Sequence, residues 1–291
     1  MRLFPAFVLV AAVLAACGDS APLPPFSTTP STDPASSREP SVLVFHRTAG
    51  FAHDSIPAGI TALTELGAEH AFAVVATEDP GVFTDTGLAR FEVIVFLNTT
   101  GDVLDESGQR AMEKFVGGGG GFVGIHAAAD TEYDWPWYGG LVGAYFARHP
   151  DPQLATVEVV ATDHPVTEGL PARFERVEEW YDFRGVPGPG VTILAVVDEA
   201  TYEGGGMGNP HPIMWAHEYA GGRSVYTGFG HASEAFAEPL VRRVLVNAIR
   251  WAAGWAGDAS AGHPFTAGRG GGRPYPAMPA RRRPPRAPFS R

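Results

Sequence analysis

Short apolar runs alternate with polar or amphipathic segments through the first half of the chain. A continuous apolar run bounded by turn residues is typical of a strand buried on both faces. Such runs predict strands at 41–45, 71–76, 91–97 and 122–125. Helices are predicted between them, from Ser55 to Gly67, at 86–90 and at 105–116. This β-α-β order predicts an α/β fold with a mostly parallel central sheet and right-handed crossovers.

The second half alternates less regularly. Strands are predicted at 154–161 and 191–197, and an extended acidic and aromatic stretch at 174–183. The runs 213–217 and 223–227 flank a Tyr-Ala-Gly-Gly segment, which predicts a hairpin. A final amphipathic helix is predicted over 233–255. We therefore expect one folded domain at 41–255, with no internal repeat.

The two ends of the chain differ from this body. Residues 1–17 have a basic residue, an apolar segment and a closing Leu-Ala-Ala-Cys, which is the pattern of a bacterial lipoprotein signal with Cys17 as the lipidated residue. An ordinary cleaved signal peptide is the alternative. Residues 18–40 have the composition of a disordered linker, and the Gly/Pro/Arg-rich segment 256–291 that of a disordered tail. The expected location is extracytoplasmic, with a lipid anchor as the only membrane attachment, or secreted.

Charge narrows the choice of partners. Residues 41–254 hold 12 Lys and Arg against 28 Asp and Glu, a net charge of −16. Phosphate recognition requires a basic face, so nucleic acid is not expected as a partner. The body contains no cysteine, which excludes a thiolate nucleophile there.

Histidines are the strongest candidates for chemistry. Three of them, His46, His126 and His231, each end an apolar run, and His53 follows on the first loop. In parallel sheets the carboxyl ends of the strands form the ligand site, and Asn98 also falls at such an end. We expect at least three of these four histidines to share one cleft. His149 precedes a proline and is a weaker candidate.

Carboxylates near these histidines suggest two kinds of chemistry. Asp130 follows His126 by four residues, so on a helix it would orient the imidazole. Glu179 and Tyr181 lie in an extended stretch and could add a carboxylate and a phenol. A divalent metal such as Zn²⁺, held by His46, His126 and His231, is one interpretation. Metal-free acid–base catalysis is the other.

Five motifs occur together in one order: FHRTAGFAHDSI, GGGFVGIHAAADT, DHPVTEGLP, EEWYDF and HPIMWAHEYAGGRSVYTGFGH. With these motifs the body resembles the ThuA-like family, named for trehalose utilisation. The resemblance implies a class I glutamine amidotransferase-like fold, a flavodoxin-like three-layer sandwich. It also implies that His126 stands where true amidotransferases have a nucleophilic cysteine, so glutamine hydrolysis is not expected.

The resemblance to this family also implies carbohydrate chemistry, with a small sugar as substrate and a sugar dehydrogenase as a possible partner in the same pathway. The leading hypothesis is an isomerase or lyase acting on a sugar or 3-keto-sugar, with His126, Asp130, Glu179 and Tyr181 as catalytic residues. Substrate would contact a second set: His46, His53, Asn98, His149, Trp180 and His231. A non-catalytic sugar-binding lipoprotein and a divalent-metal carrier are the alternatives. Each of these hypotheses is compatible with a homo-oligomer.

Overall fold

The strands of the protein form one large sheet and one small one. The structure is a computed structural model that describes residues 38–255, so the signal segment, Cys17, most of the linker and the tail lie outside the described residues. The strands are β1 (Ser41–Phe45), β2 (Ala73–Thr77), β3 (Val93–Leu97), β4 (Gly121–Ile125), β5 (Phe146–Arg148), β6 (Gln153–Val159), β7 (Arg173–Glu178), β8 (Asp182–Phe183), β9 (Thr192–Val197), β10 (Pro212–Tyr219) and β11 (Gly222–Thr227). The helices are α1 (Ile56–His70), α2 (Asp85–Leu88), α3 (Glu106–Gly117), α4 (Pro136–Val142) and α5 (Pro239–Ala252).

The large sheet has the strand order β2-β1-β3-β4-β11-β10-β9-β6-β7. The first five strands pair in parallel and the remaining four in antiparallel fashion, so that seven of the nine strands run in one direction. The predicted mostly parallel sheet is therefore correct in its first half, and the second half makes the sheet mixed. The carboxyl ends of β1, β3, β4 and β11 meet at one edge.

Helices cover both faces of the sheet, which gives the expected three-layer sandwich. Alternate residues of β1 point to opposite faces, as the period of a strand requires. Val42 and Val44 pack in the core beneath α1 and α5. Leu43 and Phe45 belong to a second core beneath α3 and α4. None of the helices within residues 38–255 has the length and apolar content needed to cross a bilayer.

The last glycine of the run, Gly121 at the start of β4, is required by the packing of α5. A Cβ atom on Gly121 would lie 2.6 Å from the carbonyl oxygen of Ala252, at the end of α5. Gly117, at the end of α3, would meet nothing closer than 3.6 Å. The tight approach of α5 to β4 therefore depends on Gly121.

Several predicted elements differ from the observed ones. Residues after His126 form a 3₁₀ turn, His126–Asp130, instead of a helix. The predicted final helix is interrupted at Pro239: Ser233–Ala237 is a 3₁₀ turn and α5 follows. The hairpin is present, with Ala220 and Gly221 both at positive φ, as a two-residue turn of this hand requires. The short elements α4 and β5 were not predicted.

Candidate active site

Three imidazoles and one carboxylate converge at the carboxyl edge of the parallel strands. His53 lies on the loop between β1 and α1, His126 follows β4, His231 follows β11, and Glu179 follows β7. One ligand atom from each of the four lies within 4.8 Å of every other. We call these four residues the histidine–glutamate cluster. It contains three of the four histidines expected to converge.

The chain after β7 brings Glu179 to this edge. The ring of Tyr181 lies against the ring of His126, with centroids 4.3 Å apart, and β8 then pairs with β5. Oε2 of Glu179 is 3.3 Å from Nε2 of His126 and 3.2 Å from Nδ1 of His231. Its other oxygen, Oε1, is 3.0 Å from Nδ1 of His149. One carboxylate thus contacts three imidazoles.

The protonation of Glu179 is set by opposing effects. Burial favours its neutral form, but the imidazoles of His126 and His231 outweigh burial and hold the pKa of Glu179 well below its usual range. In return, the contact with Glu179 raises the pKa of His231 above its ordinary value. Glu179 is therefore a carboxylate at neutral pH.

His53 is held neutral. Burial, together with the neighbouring imidazoles of His126 and His231, lowers its pKa to about 3. Its Nδ1 is buried without a hydrogen-bond partner among residues 38–255, and the same is true of Nε2 of His126 and Nδ1 of His231. Unpaired buried polar atoms are rare in folded proteins, so their concentration at one point marks this cluster as functional.

His126 is at the end of β4 in a strained backbone conformation, with φ of +47°. Its carbonyl oxygen accepts a hydrogen bond from the hydroxyl of Tyr226, and its Nδ1 lies 3.0 Å from the carbonyl oxygen of Gly228. The side chain is 0% exposed. The Tyr181 ring and the loop after β11 cover it, so it has no contact with solvent in this structure.

Asp130 does not orient His126. Because the turn after β4 is 3₁₀, the spacing of four residues does not stack the two side chains. Asp130 instead accepts a hydrogen bond of 2.5 Å from the hydroxyl of Tyr133, and burial raises its pKa. The carbonyl of Gly228 takes the orienting role that sequence reasoning gave to Asp130. A backbone carbonyl carries no side-chain signal, so the sequence could not indicate it.

Asn98 ties together the loops that carry the cluster. Its side chain is wholly buried and donates to Oγ of Ser55 (2.9 Å) and to the carbonyl oxygen of Gly230 (3.1 Å). Ser55 itself donates to the same carbonyl at 3.0 Å. The backbone N–H of Ala127 donates to Oδ1 of Asn98 at 3.4 Å. Asn98 is a positioning residue in this structure and not the substrate contact that was expected.

Glu178 holds the loop that carries His231. Its carboxylate accepts hydrogen bonds from the backbone N–H groups of Gly230 (3.1 Å) and His231 (3.2 Å). The guanidinium of Arg176, buried beside it, lies 3.0 Å away and stacks over the ring of Phe229. A buried carboxylate requires such a partner. Neither Arg176 nor this role of Glu178 was predicted.

The remaining expected site residues lie outside the cluster, and one of them, His149, contacts it. His46 is not among the residues whose ligand atoms converge, so the metal set of His46, His126 and His231 is not assembled. Trp180 is 1% exposed and donates to the carbonyl oxygen of Gln153, so it belongs to the core and offers no face to a sugar. His149 is at the rim, with its side chain 38% exposed. Phe51 was not predicted: it is 68% exposed and its ring lies 4.9 Å from that of His53.

Comparisons with known proteins agree with this fold. The family model described as ThuA, trehalose utilisation, matches residues 41–252. No curated protein matches the chain. A ThuA-like protein of Bacteroides uniformis is similar over 74% of this chain and 93% of its own, with 28% identity and a TM-score of 0.64. A ThuA-like protein of Parabacteroides merdae is similar over 74% and 90%, with 20% identity and a TM-score of 0.62.

A cytoplasmic protein of Salmonella typhimurium shares the fold, with a TM-score of 0.53 at 14% identity. The ThuA-like proteins have the class I glutamine amidotransferase-like fold, and this chain has it too. The family match spans nearly the whole folded body, from β1 to the end of α5. The chain therefore belongs to the ThuA family.

Proposed function

We propose that this chain is a carbohydrate-active enzyme that moves a proton next to a carbonyl group of a keto-sugar. The family description, trehalose utilisation, supports a carbohydrate substrate. The observation that carries the proposal is the pairing of a half-exposed imidazole, His149, with the buried carboxylate of Glu179 at 3.0 Å. A histidine held by a carboxylate through one ring nitrogen can exchange protons through the other.

The contacts of His149 support its role as the base. Its Nδ1 lies 3.0 Å from Oε1 of Glu179 and 3.0 Å from the carbonyl oxygen of Pro150, and both of these atoms accept hydrogen bonds. Nδ1 therefore carries the hydrogen, and Nε2 has the free lone pair. His126 and His53, which are buried, cannot reach a substrate. The role of general base moves from His126 to His149.

The reaction needs only this one base. Nε2 of His149 removes the proton from the carbon next to the ketone, and the electron pair of the broken C–H bond forms an enolate. The imidazolium of His149 then returns its proton. Delivery to the former carbonyl carbon, together with transfer of the adjacent hydroxyl proton to the enolate oxygen, isomerises the sugar. Elimination occurs instead when the enolate re-forms the ketone, its C=C electron pair forms a new double bond to the carbon that bears the glycosidic oxygen, the C–O bond breaks and the departing oxygen takes the proton. Glu179 stabilises the imidazolium between the two steps.

Phe51 supplies an apolar surface beside the base. Large apolar side chains are normally buried, so an aromatic ring that is 68% exposed next to a cluster of imidazoles favours a ligand contact. A sugar ring presents C–H groups that pack on an aromatic face. We assign to Phe51 the stacking role expected of Trp180.

Solvent exchange tests the proposal most directly. The protein is incubated in D₂O with a panel of 3-keto-disaccharides, and deuterium incorporation next to the carbonyl is followed by NMR together with product formation. We expect His149→Gln to lower the rate by about 10²–10⁴-fold. Phe51→Ala should raise KM more than it lowers kcat. His70→Gln, on the exposed side of α1, is the matched control. Neither exchange nor turnover across the panel would refute the enzymatic proposal.

A non-catalytic sugar-binding protein is the second candidate. The burial of His53 and His126 favours it, since His126 has no contact with solvent and His53 has little. Calorimetry separates the two candidates. Tight binding of an unmodified sugar that survives His149→Gln but not Phe51→Ala, without turnover, would favour the binding protein.

We also propose that the chain is exported and anchored by lipid on Cys17. The lipobox-like end of the apolar segment 1–17 supports this location. A keto-sugar outside the cytoplasm requires an oxidising enzyme to make it, so a sugar dehydrogenase is the expected partner. Labelling cells with an alkyne fatty acid should tag the chain and not its Cys17→Ala variant. A secreted protein without the label would contradict the anchor.

A further inference from the structure

We propose that the histidine–glutamate cluster is a binding site for one transition-metal dication of the Zn²⁺ type, with His53, His126, His231 and Glu179 as its ligands. This set differs from the one expected from the sequence: His46 is replaced by His53, and a carboxylate is added. The proposal stands whether or not the sugar chemistry proposed above is correct, because it rests on the arrangement of the ligand atoms.

The first argument is the conflict between His126 and Glu179. Because a carbonyl oxygen can only accept, the contact with Gly228 places the hydrogen of the neutral ring on Nδ1. Nε2 then presents a lone pair to Oε2 of Glu179 at 3.3 Å. Nδ1 of His231 faces the same oxygen at 3.2 Å. The lone pair of Nε2 of His126 and the carboxylate of Glu179 repel each other in this buried space unless positive charge lies between them. One dication satisfies all of these atoms at once.

The second argument is distance. Four ligands held about 2.0–2.1 Å from a zinc ion at the corners of a tetrahedron lie about 3.3–3.4 Å from one another. The two contacts of Oε2 of Glu179, at 3.3 Å and 3.2 Å, already have this length. All four ligand atoms lie within 4.8 Å of one another, so completing the tetrahedron needs any two of them to approach by at most about 1.5 Å.

The third argument is the orientation of the rings. The rings of His53 and His126 meet at 88° with centroids 5.0 Å apart, and those of His53 and His231 at 89° and 5.5 Å. Rings that approach one point from perpendicular directions can each aim a nitrogen at it.

The surroundings match those of metal centres. The Gly228 carbonyl on Nδ1 of His126 is the usual outer partner of a metal-binding histidine, which fixes the tautomer and the ring orientation. Oε2 of Glu179 faces the cluster, whereas Oε1 faces His149. The carboxylate can therefore hold the ion with one oxygen and the exposed histidine with the other.

A second group of acidic and histidine side chains provides a contrast. His211 lies near Asp182 and Glu199, but both of its ring nitrogens already have partners. Nδ1 is 3.0 Å from oxygens of both Glu199 and Tyr202, and Nε2 is 2.8 Å from the carbonyl oxygen of Tyr181. Since both nitrogens of His211 are occupied by partners in the protein, we assign no ion to this group.

Metal titration of the full chain tests the proposal. The purified protein is stripped with a chelator, and Zn²⁺, Mg²⁺ or Ca²⁺ is added in a calorimeter. We expect one Zn²⁺ per chain and no binding of Mg²⁺ or Ca²⁺, which prefer oxygen ligands. Co²⁺ in place of Zn²⁺ should give the intense visible bands of tetrahedral coordination. Absence of stoichiometric Zn²⁺ binding by the stripped protein would overturn the proposal.

Variants identify the ligands. Loss of an outer partner of a metal ligand lowers affinity about 10–100-fold, so His53→Asn and His231→Gln should each lower Zn²⁺ affinity by more than about 100-fold. His46→Gln should leave it unchanged, and this variant separates the two ligand sets. Thermal unfolding of each stripped variant checks that it is folded. Equal affinity in the His53 or His231 variants, or an equal loss in His46→Gln, would overturn the assignment.

Discussion

Replacement of Asn98 by alanine should separate the loops of the site from one another. Asn98 has φ of +49° and no exposed surface, and its side chain is hydrogen-bonded to Ser55, Gly230 and Ala127, while Ser55 also donates directly to the carbonyl oxygen of Gly230. Alanine retains the Cβ atom but removes the hydrogen bonds of the Asn98 side chain. The variant therefore tests whether the site is held together by hydrogen bonds from this one buried amide.

The size of the effect follows from these contacts. Each of the two bonds donated by Nδ2 of Asn98 contributes about 1 kcal/mol net. The N–H of Ala127 loses its side-chain acceptor, and an orphaned buried donor costs about 1–3 kcal/mol. The bond lost there is long, at 3.4 Å, so we use the lower value. The free energy of unfolding should therefore fall by about 3 kcal/mol.

Glycine at the same position separates hydrogen bonding from backbone strain. Asn98→Gly removes the same bonds, but glycine adopts positive φ without the penalty of about 1–2 kcal/mol that other L-residues incur. Part of this gain is offset by the greater freedom of glycine in the unfolded chain. The glycine variant should be at least as stable as the alanine variant.

Urea denaturation of the three proteins, with linear extrapolation to water, measures these differences. The slope m should stay unchanged, since the substitutions hardly change the surface that is exposed on unfolding. A double-mutant cycle with Ser55→Ala should show coupling, because Asn98 donates to Ser55. A loss of less than 1 kcal/mol for Asn98→Ala, or additive losses in the cycle, would refute the positioning role.

Three further predictions concern the framework around the site. Gly121→Ala should lower the free energy of unfolding in urea by about 1–3 kcal/mol, because the new Cβ atom would collide with the backbone of α5. The control Gly117→Ala should change this free energy by less than about 0.5 kcal/mol. Arg176→Met leaves the buried carboxylate of Glu178 uncompensated and should cost about 3–5 kcal/mol, and adding Glu178→Gln should recover at least about 1 kcal/mol. Burial lowers the pKa of His164 to about 4, so the stability that its neutral form contributes is complete above pH 6.5 and is lost as the pH falls towards 4. Between pH 7.5 and pH 5 the free energy of unfolding should therefore fall by about 1–2 kcal/mol more in the wild type than in His164→Gln. This range allows for the partial exposure of the His164 side chain.

Each of these predictions has a contradicting result. Equal losses at Gly121 and Gly117 would mean that the approach of α5 to β4 is not tight. Failure of Glu178→Gln to recover any stability in the Arg176→Met background would mean that the uncompensated charge is not the source of the loss. Parallel pH profiles for the wild type and His164→Gln would mean that this histidine is not held neutral by the fold.

The parallel half of the fold was predictable because its strands are buried on both faces. Such strands appear in the sequence as unbroken apolar runs, and β1 was predicted at its observed bounds. The end of each run then identified the edge at which His126 and His231 meet. The antiparallel half was less clear, since β7 alternates between exposed and buried positions and contains charged residues at its buried ones, including Arg176.

Sequence reasoning named Glu179 as a catalytic candidate but could not explain why it, and not Glu178, reaches the imidazoles, and the reason lies in the register of β7. Glu178 and Glu179 are adjacent, so their side chains leave the end of the strand in different directions. Because Glu178 pairs with Gln153, its carboxylate points towards Arg176 and the loop of His231. The carboxylate of Glu179 then points towards the three imidazoles. A slip of one residue would exchange the two roles without changing the sequence. The register is fixed by pairing with β6, across the sheet from the histidines. Both the proposed base and the proposed metal site depend on the carboxylate of Glu179. The position of this carboxylate is therefore set by the pairing of strands in the folded sheet, and the residues next to Glu179 in the sequence do not determine it alone.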